Sequence, residues 1–248
     1  MGLRLQISIG ILASLLIGIL YLLLEHFSGI RGTSLPMSVV AKKETTKMYT
    51  ISAEYPRFSG LSIITDEIQK AVDVRIDDFK KTAEENWRLR LQNASPGEQV
   101  PQFPADPFPF TLTWNPKQVN ESVISLVILA SAYTGGANEE EDIIAFNFDV
   151  KKKKMMTLSD LFLQKPDYLT TISEFCRADI VTRLTAASAP GETVSEDIVM
   201  EGTVPVEENF KRFTFDDTNI VFYFPKGTVA PAVYGTQSVI MNRKSFGL

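Results

Sequence analysis

The pattern of hydrophobic and polar residues separates an apolar N-terminal segment from a long amphipathic remainder. Residues 5–24 are apolar except for Gln6, Ser8 and Ser14. At about 1.5 Å per residue, such a helix crosses a bilayer core of about 30 Å. No small-x-small cleavage motif follows it, which favours a retained transmembrane anchor over a cleaved signal. We therefore predict an anchor or signal over residues 1–27.

The charge around this segment predicts its orientation. Arg4 and the terminal amine precede it, so the positive-inside tendency places the N-terminus in the cytoplasm. Residues 28–47 are polar and contain Gly, Ser and Thr, which is typical of a flexible tether. We expect a single-pass, membrane-anchored protein whose remaining residues lie outside, in the periplasm or on the cell surface.

Residues 48–108 show the pattern of one strand followed by one long helix. Alternation predicts the strand, and apolar residues recurring every three or four positions then predict an amphipathic helix. The inward positions are Tyr49, Ile51, Ala53 and Tyr55 in the strand and Ile64, Ile68, Val72, Ile76, Phe79, Ala83, Trp87 and Leu91 in the helix. Four prolines in residues 93–108 then predict a loop, which we take as the boundary of an upstream subdomain.

Residues 109–248 read as a C-terminal α/β module. Residues 123–130 are almost uniformly apolar, as in a strand covered on both faces, and residues 143–150 form its hairpin partner. A strand over 110–114, helices over 158–162 and 166–189, and strands over 220–224 and 239–241 complete the pattern. The fold class is therefore α/β with a mixed sheet, in two interlocked strand-helix-strand subdomains.

Composition removes several classes of function. The sole histidine, His26, lies at the apolar segment, which excludes Ser-His-Asp and Cys-His pairs and His-ligated zinc in the folded domain. Acidic residues outnumber basic ones by 30 to 25 without a broad basic cluster, which argues against nucleic acid. The single Cys176 forms no intrachain disulfide and lies on the apolar stripe of a predicted helix. We predict no enzyme activity, no cofactor and no metal.

The turn between the two most apolar strands is the candidate binding segment. Paired glycines are followed there by four adjacent carboxylates, which predict an exposed loop that recognises a basic partner. A soluble hairpin tip is the alternative, and the spacing does not resemble a calcium loop. The candidate partner-binding residues are Tyr133, Gly135, Gly136, Asn138, Glu139, Glu140, Glu141 and Asp142.

An ordered set of short motifs carries a family resemblance. The motifs are Tyr133-Thr134-Gly135-Gly136-Ala137, Phe146-Asn147-Phe148-Asp149, Thr157-Leu158-Ser159-Asp160-Leu161-Phe162, Phe222-Tyr223-Phe224, and Val229-Ala230-Pro231 with Gly235. The set resembles a bacterial extracytoplasmic module of poorly defined function. This module occurs in RsiV-type anti-sigma ectodomains and beside the catalytic domain of peptidoglycan deacetylases. The family pattern often has histidine where this chain has Asn138, so any role of that histidine does not carry over.

The resemblance implies a binding module without its usual effector. We expect a non-enzymatic binding or sensor domain for an envelope component, either a lysozyme-like protein or peptidoglycan. One alternative is a cell-wall glycan hydrolase that uses carboxylates alone. Another is a structural module for membrane-protein assembly, although Gly10 and Gly18 form no Gly-x-x-x-Gly pair.

Overall fold

The computed structural model describes residues 35–136, 138–163, 165–187 and 196–246. The predicted anchor over residues 1–27, with His26, lies outside these ranges. Within them, no helix combines the length and the apolar composition that a bilayer span requires.

A six-stranded mixed sheet, here called the large sheet, forms the first layer. Its strands lie in chain order and are β1 (Met37–Thr45), β2 (Tyr49–Phe58), β3 (Phe108–Val119), β4 (Val123–Ala132), β5 (Glu140–Asp149) and β6 (Lys154–Met155). Among these described strands, β2 and β3 pair in parallel and the other neighbours pair antiparallel. Since parallel neighbours need a crossover, the long helix α1 (Ser62–Gln92) connects them. The predicted mixed α/β class is confirmed.

The apolar stripe of α1 covers one face of the large sheet. The predicted positions from Ile64 to Ala83 are buried, and the Phe79 ring packs at 5.8 Å from Tyr49 and 5.1 Å from Phe110. Leu91, in the last turn, is exposed. The buried stripe therefore confirms the helical period over most of α1.

The structure corrects the tether expected over residues 28–47, because β1 occupies its second half. β1 pairs with β2 along its whole length, and its side chains are exposed or half-buried. Ion pairs to α1 hold it, between Lys42 and Asp73 and between Lys80 Nζ and Glu44 Oε2 at 2.6 Å. An edge strand held by backbone hydrogen bonds and ion pairs lacks strong apolar alternation, so its sequence resembles a linker.

The boundary expected between residues 108 and 109 is also corrected. The large sheet runs through it, because β3 lies between β2 and β4. The proline-rich segment over residues 93–107 is a connection within one unit. Prolines exclude a segment from a sheet but carry no information on which strands pair across it. The division between the two main hydrophobic clusters lies further along the chain. The buried residues of the first cluster end at Phe148, and those of the second begin at Leu158.

In the described residues, the second part comprises a small antiparallel sheet and four helices. The strands are β7 (Phe213–Phe215), β8 (Asn219–Phe224) and β9 (Gln237–Asn242), and the helices are α2 (Leu158–Leu161), α3 (Tyr168–Ala187), α4 (Glu196–Gly202) and α5 (Glu207–Phe210). The second predicted strand-helix-strand unit therefore does not lie within one sheet. Its first strand belongs to the large sheet, and the strand after its helices belongs to the small sheet. Short 3-10 turns span Ala232–Tyr234 and Arg243–Phe246.

Part of the apolar stripe of α3 packs in the core of this second part. Ile172, Cys176, Ile180 and Leu184 are all buried, with the strands of the small sheet in the same cluster. Burial raises the pKa of the Cys176 thiol. Cys176 therefore packs in the core, in keeping with its place on the apolar stripe of the predicted helix.

Buried hydrogen bonds join the two sheets, and we call this set the inter-sheet bracket. The Ser125 hydroxyl donates to Asn147 Oδ1 at 2.7 Å, and Asn147 Nδ2 donates to the Phe213 carbonyl at 2.8 Å. The Phe215 backbone N–H donates to Ser125 Oγ at 2.8 Å. Each of these side chains thus bonds both to its neighbour and to the backbone of β7.

An apolar cluster lies beside the bracket. Val127 of β4, Ile143 of β5 and Tyr223 of β8 are all buried in it. Because α1 covers the other face of the large sheet, β4 is covered on both faces. Its nearly uniform apolar sequence had indicated this arrangement.

Loss of the bracket should destabilise the whole fold. Asn147→Ala leaves the Phe213 carbonyl and the Ser125 hydroxyl without their partner in a buried site. We expect a loss of about 1–3 kcal/mol in the free energy of unfolding, measured by urea denaturation. Ser131→Ala removes a half-buried hydroxyl from the same strand, β4, and should cost less than about 0.5 kcal/mol. Equal losses for the two variants would contradict the role of the bracket.

Gly202, at the end of α4, should tolerate no side chain. A Cβ there would lie 2.1 Å from the Thr228 carbonyl oxygen and 2.6 Å from Val229 Cγ1. Gly202→Ala must displace backbone and should lower the free energy of unfolding by about 2–3 kcal/mol, measured by denaturation. Met200→Ala, at an exposed position of the same helix, is the control and should change it little. A Gly202→Ala variant as stable as the control would contradict the close packing of α4 against Thr228 and Val229.

Candidate functional site

The predicted binding segment lies at the end of the large sheet where β4 passes into β5. Glu140, Glu141 and Asp142 do not form an exposed loop, because they pair with β4 as the first residues of β5. The predicted acidic loop is therefore wrong for these three residues, and only Glu139 precedes the strand. Side chains alternate along a strand, so adjacent carboxylates point to opposite faces.

The contacts of β5 show this alternation. Arg75 Nε, on α1, donates to Asp142 Oδ2 at 2.9 Å. On the other face, Thr236 Oγ1 donates to Glu141 Oε2 at 3.1 Å. The acidic run is therefore divided between α1 and the loop that precedes β9.

A cleft of about 340 Å³ lies between α1 and the ends of β4 and β5. Its floor is apolar, and its walls carry the carboxylates of Asp78, Glu140 and Asp142, one guanidinium and two threonine hydroxyls, while the Glu141 carboxylate contacts Thr236 on the opposite face. The lining residues are Arg75, Asp78, Phe79, Thr82, Phe110, Ala130, Ala132, Thr134, Glu140, Glu141 and Asp142. We call this the acidic cleft.

The α1 side of the acidic cleft was not predicted from the sequence. Arg75, Asp78 and Thr82 follow one another at spacings of three and four, so they share one helix face beside the buried stripe. That spacing is enough to predict a polar helix face from the sequence. Which strand ends lie opposite this face follows only from the tertiary structure.

Contacts from α1 hold the start of the turn. The Tyr133 ring packs edge-on against Phe108 with centroids 5.9 Å apart, and Phe108 packs against Trp87 at 6.0 Å. Asn86 Nδ2 donates to both the Thr134 carbonyl at 3.1 Å and Thr134 Oγ1 at 3.0 Å. Tyr133 therefore positions the start of the turn.

The two glycines of the turn differ in their constraints. Gly135 has φ +86°, and a Cβ there would lie 3.0 Å from the Phe108 ring. A Cβ at Gly136 would meet no atom of the described residues within 4 Å, and its φ is not positive. Gly136, Asn138 and Glu139 are exposed, so they form the accessible tip of the turn.

A second loop lies beside the start of β5. It contains the Ala232–Tyr234 turn, which ends at Gly235 with φ +66°, and it contacts Glu141 through Thr236. Val233 in this turn is 88% exposed. Neither Val233 nor Thr236 was singled out from the sequence, because a lone valine or threonine in a loop carries no pattern.

Across the described ranges, no three His, Cys, Asp or Glu side chains are grouped so that they could hold a metal ion.

The two glycines provide a matched test of the turn. Gly135→Ala forces a side chain into a positive-φ position against Phe108, so we expect a loss of about 1–2 kcal/mol in the free energy of unfolding. Gly136→Ala should change it by less than about 0.5 kcal/mol. Urea denaturation of the two variants side by side measures the difference. Equal stabilities would mean that the turn relaxes around the added methyl group.

Two family models match consecutive parts of the chain. Residues 42–139 match the model described as deacetylase PdaC, and residues 159–244 match a protein of unknown function, DUF3298. The chain is 27% identical to the peptidoglycan-N-acetylmuramic acid deacetylase PdaC of Bacillus subtilis (strain 168) over 123 residues. That match covers 50% of this chain and 25% of the relative, so the chain spans about a quarter of the length of this relative. The resemblance to RsiV-type ectodomains stays a prediction.

Solved structures share the fold. A DUF3298 family member from Bacteroides fragilis superimposes with a TM-score of 0.55 at 14% identity, over 86% of this chain and 92% of its own. A DUF3298 protein from Pseudomonas aeruginosa PAO1 gives a TM-score of 0.53 at 11% identity, over 85% and 91%. Identities this low show the fold alone. The chain therefore combines a region similar to PdaC with a region similar to DUF3298, in a fold shared with solved DUF3298 proteins.

Proposed function

We propose that this chain is a non-enzymatic, membrane-anchored extracytoplasmic module that binds a component of the cell envelope. The similarity to a deacetylase named for peptidoglycan supports the envelope context. The apolar segment over residues 5–24 supports the anchor. The bound component is a basic protein such as lysozyme, or peptidoglycan itself.

The observation that carries the proposal is the convergence of three chain segments at one end of the large sheet. These are the turn and β5 start over residues 133–136 and 138–142, the polar face of α1 over residues 75–82 on one side of β5, and the loop over residues 231–236 on its other side. We call the exposed end of the large sheet that these segments surround the binding face. A face assembled from distant segments on rigid elements is typical of a recognition site.

The binding face combines charge with an apolar tip. Glu139 and Glu140 are exposed, and within the described ranges no ion pair engages either carboxylate. Exposed carboxylates accelerate the approach of a cationic partner. Val233 adds an apolar contact on a short turn bounded by Pro231 and Gly235.

Binding is favoured over catalysis by the residues that the chain offers. The single His26 lies in the predicted anchor, which leaves the folded part without histidine acid–base chemistry or a histidine metal ligand. One observation supports the hydrolase alternative: Asp78 and Glu140 line the same cleft. Two carboxylates suffice for glycoside hydrolysis when their spacing is suitable.

Neutralising the exposed carboxylates should weaken binding without unfolding the domain. We expect the full chain to be retained by immobilised lysozyme or by insoluble peptidoglycan, more strongly at low than at high salt. Glu139→Gln with Glu140→Gln should reduce low-salt retention roughly tenfold and flatten the salt dependence. Asp142 is left intact because it pairs with Arg75.

The matched control removes two charges elsewhere. Asp66→Asn with Glu67→Gln changes exposed carboxylates near the start of α1 and should leave retention unchanged. Equal losses in the two double variants would reject the binding face. Wild-type retention on neither material would reject envelope binding. Release of soluble fragments from peptidoglycan would favour the hydrolase if one carboxylate substitution abolishes that release.

A further inference from the structure

We infer that the acidic cleft takes a zwitterionic group, with a carboxylate bound by Arg75 and a primary ammonium bound by Asp78 and Glu140. In peptidoglycan, the stem peptide carries both charges, on a diamino acid and on its terminal D-alanine. The inference rests on the proposed function and names the part of the envelope that this cleft recognises. It assigns the cleft to peptide rather than to sugar.

The size of the cleft suits a short peptide end. Its volume of about 340 Å³ lies at the lower end of the range for small-molecule sites, which is roughly 300–1,000 Å³. That volume holds one or two small residues but no extended glycan strand. The apolar floor at Ala130 and Ala132 accommodates the methylene groups of a lysine-type side chain.

Arg75 supplies the site for the carboxylate. A guanidinium carries five N–H donors, and the described contacts of Arg75 engage only Nε, toward Asp142. The Ile143 backbone N–H donates to Asp142 Oδ1 at 2.9 Å, so Asp142 is itself held in place. Asp142 is therefore a positioning residue for Arg75. The side chain of Arg75 is 34% exposed and lines the cleft, so its terminal N–H groups can bind a carboxylate bidentately.

Asp78 and Glu140 supply the site for the ammonium. Asp78 lies one helical turn beyond Arg75 on the same face of α1. Glu140 lies two residues before Asp142, so it shares that face of β5. Both carboxylates line the cleft beside the guanidinium. The cleft therefore presents opposite charges next to each other, as a zwitterion does.

A neutral sugar fits this lining poorly. Phe79 and Phe110 in the floor are only 4% and 3% exposed, so no open aromatic ring is available beneath a sugar. A neutral ligand would also cover the guanidinium and the carboxylates without supplying opposite charges, which is costly. A lysine side chain from a basic protein would satisfy only the carboxylates. A ligand with both charges satisfies both halves of the cleft.

The test uses Nα-acetyl-L-lysyl-D-alanine as the probe, with the full chain and isothermal titration calorimetry. Acetylating the lysine ε-amine or amidating the C-terminal carboxylate removes one charge at a time. We expect each modified probe to bind about tenfold more weakly than the zwitterion, because each loses a charge-assisted contact. Arg75→Gln should abolish the preference for the free carboxylate over the amide. Asp78→Asn should weaken the preference for the free amine.

Arg57→Gln is the matched control, since Arg57 is exposed and distant in the fold, and it should retain both preferences. Thermal denaturation checks that each variant folds. Equal affinity for all three probes, or an unchanged carboxylate preference in a folded Arg75→Gln variant, would overturn the inference. If the zwitterion does not bind while lysozyme or peptidoglycan still retains the chain, the inference fails and the proposed function stands. If nothing binds, both fail.

Discussion

The buried hydrogen bonds between the two sheets fix the relative positions of the segments that form the proposed binding face. Ser125 and Asn147 lie on the large sheet, and both bond to the backbone of β7 in the small sheet. The binding face contains parts of both sheets, because the loop that carries Thr236 precedes β9 whereas Glu141 belongs to β5. A shift between the sheets would separate these segments. Buried polar groups penalise such a shift, since each lost partner leaves an unsatisfied atom in the core.

The same bracket explains why the chain forms one fold although it matches two family models. Ser125 lies in the region similar to PdaC, and Phe213 and Phe215 lie in the region similar to DUF3298. Asn147 falls between the two matched regions and bonds to both. The superpositions on solved DUF3298 proteins cover more than four fifths of this chain, so the fold shared with them extends across both regions.

Elements with one strongly apolar face were predictable, and the rest needed tertiary information. The alternation in β2 and the period of α1 identified these elements because both bury a continuous apolar stripe. The edge strand β1 was not predicted from the sequence, because ion pairs and backbone hydrogen bonds hold it in place of apolar burial. The turn at Gly135 was identified from its paired glycines. Its Phe108 neighbour was not, because that contact joins residues far apart in the sequence.

The central claim is that the chain binds an envelope component at one end of the large sheet. The most direct measurement is hydrogen–deuterium exchange of the full chain, alone and with either lysozyme or soluble peptidoglycan fragments. The account predicts that one of these ligands slows exchange in the turn over residues 133–139 and in the loop over residues 231–236, both at the binding face. Unchanged exchange in these two segments with both ligands, or protection confined to the opposite end of α1, would contradict it.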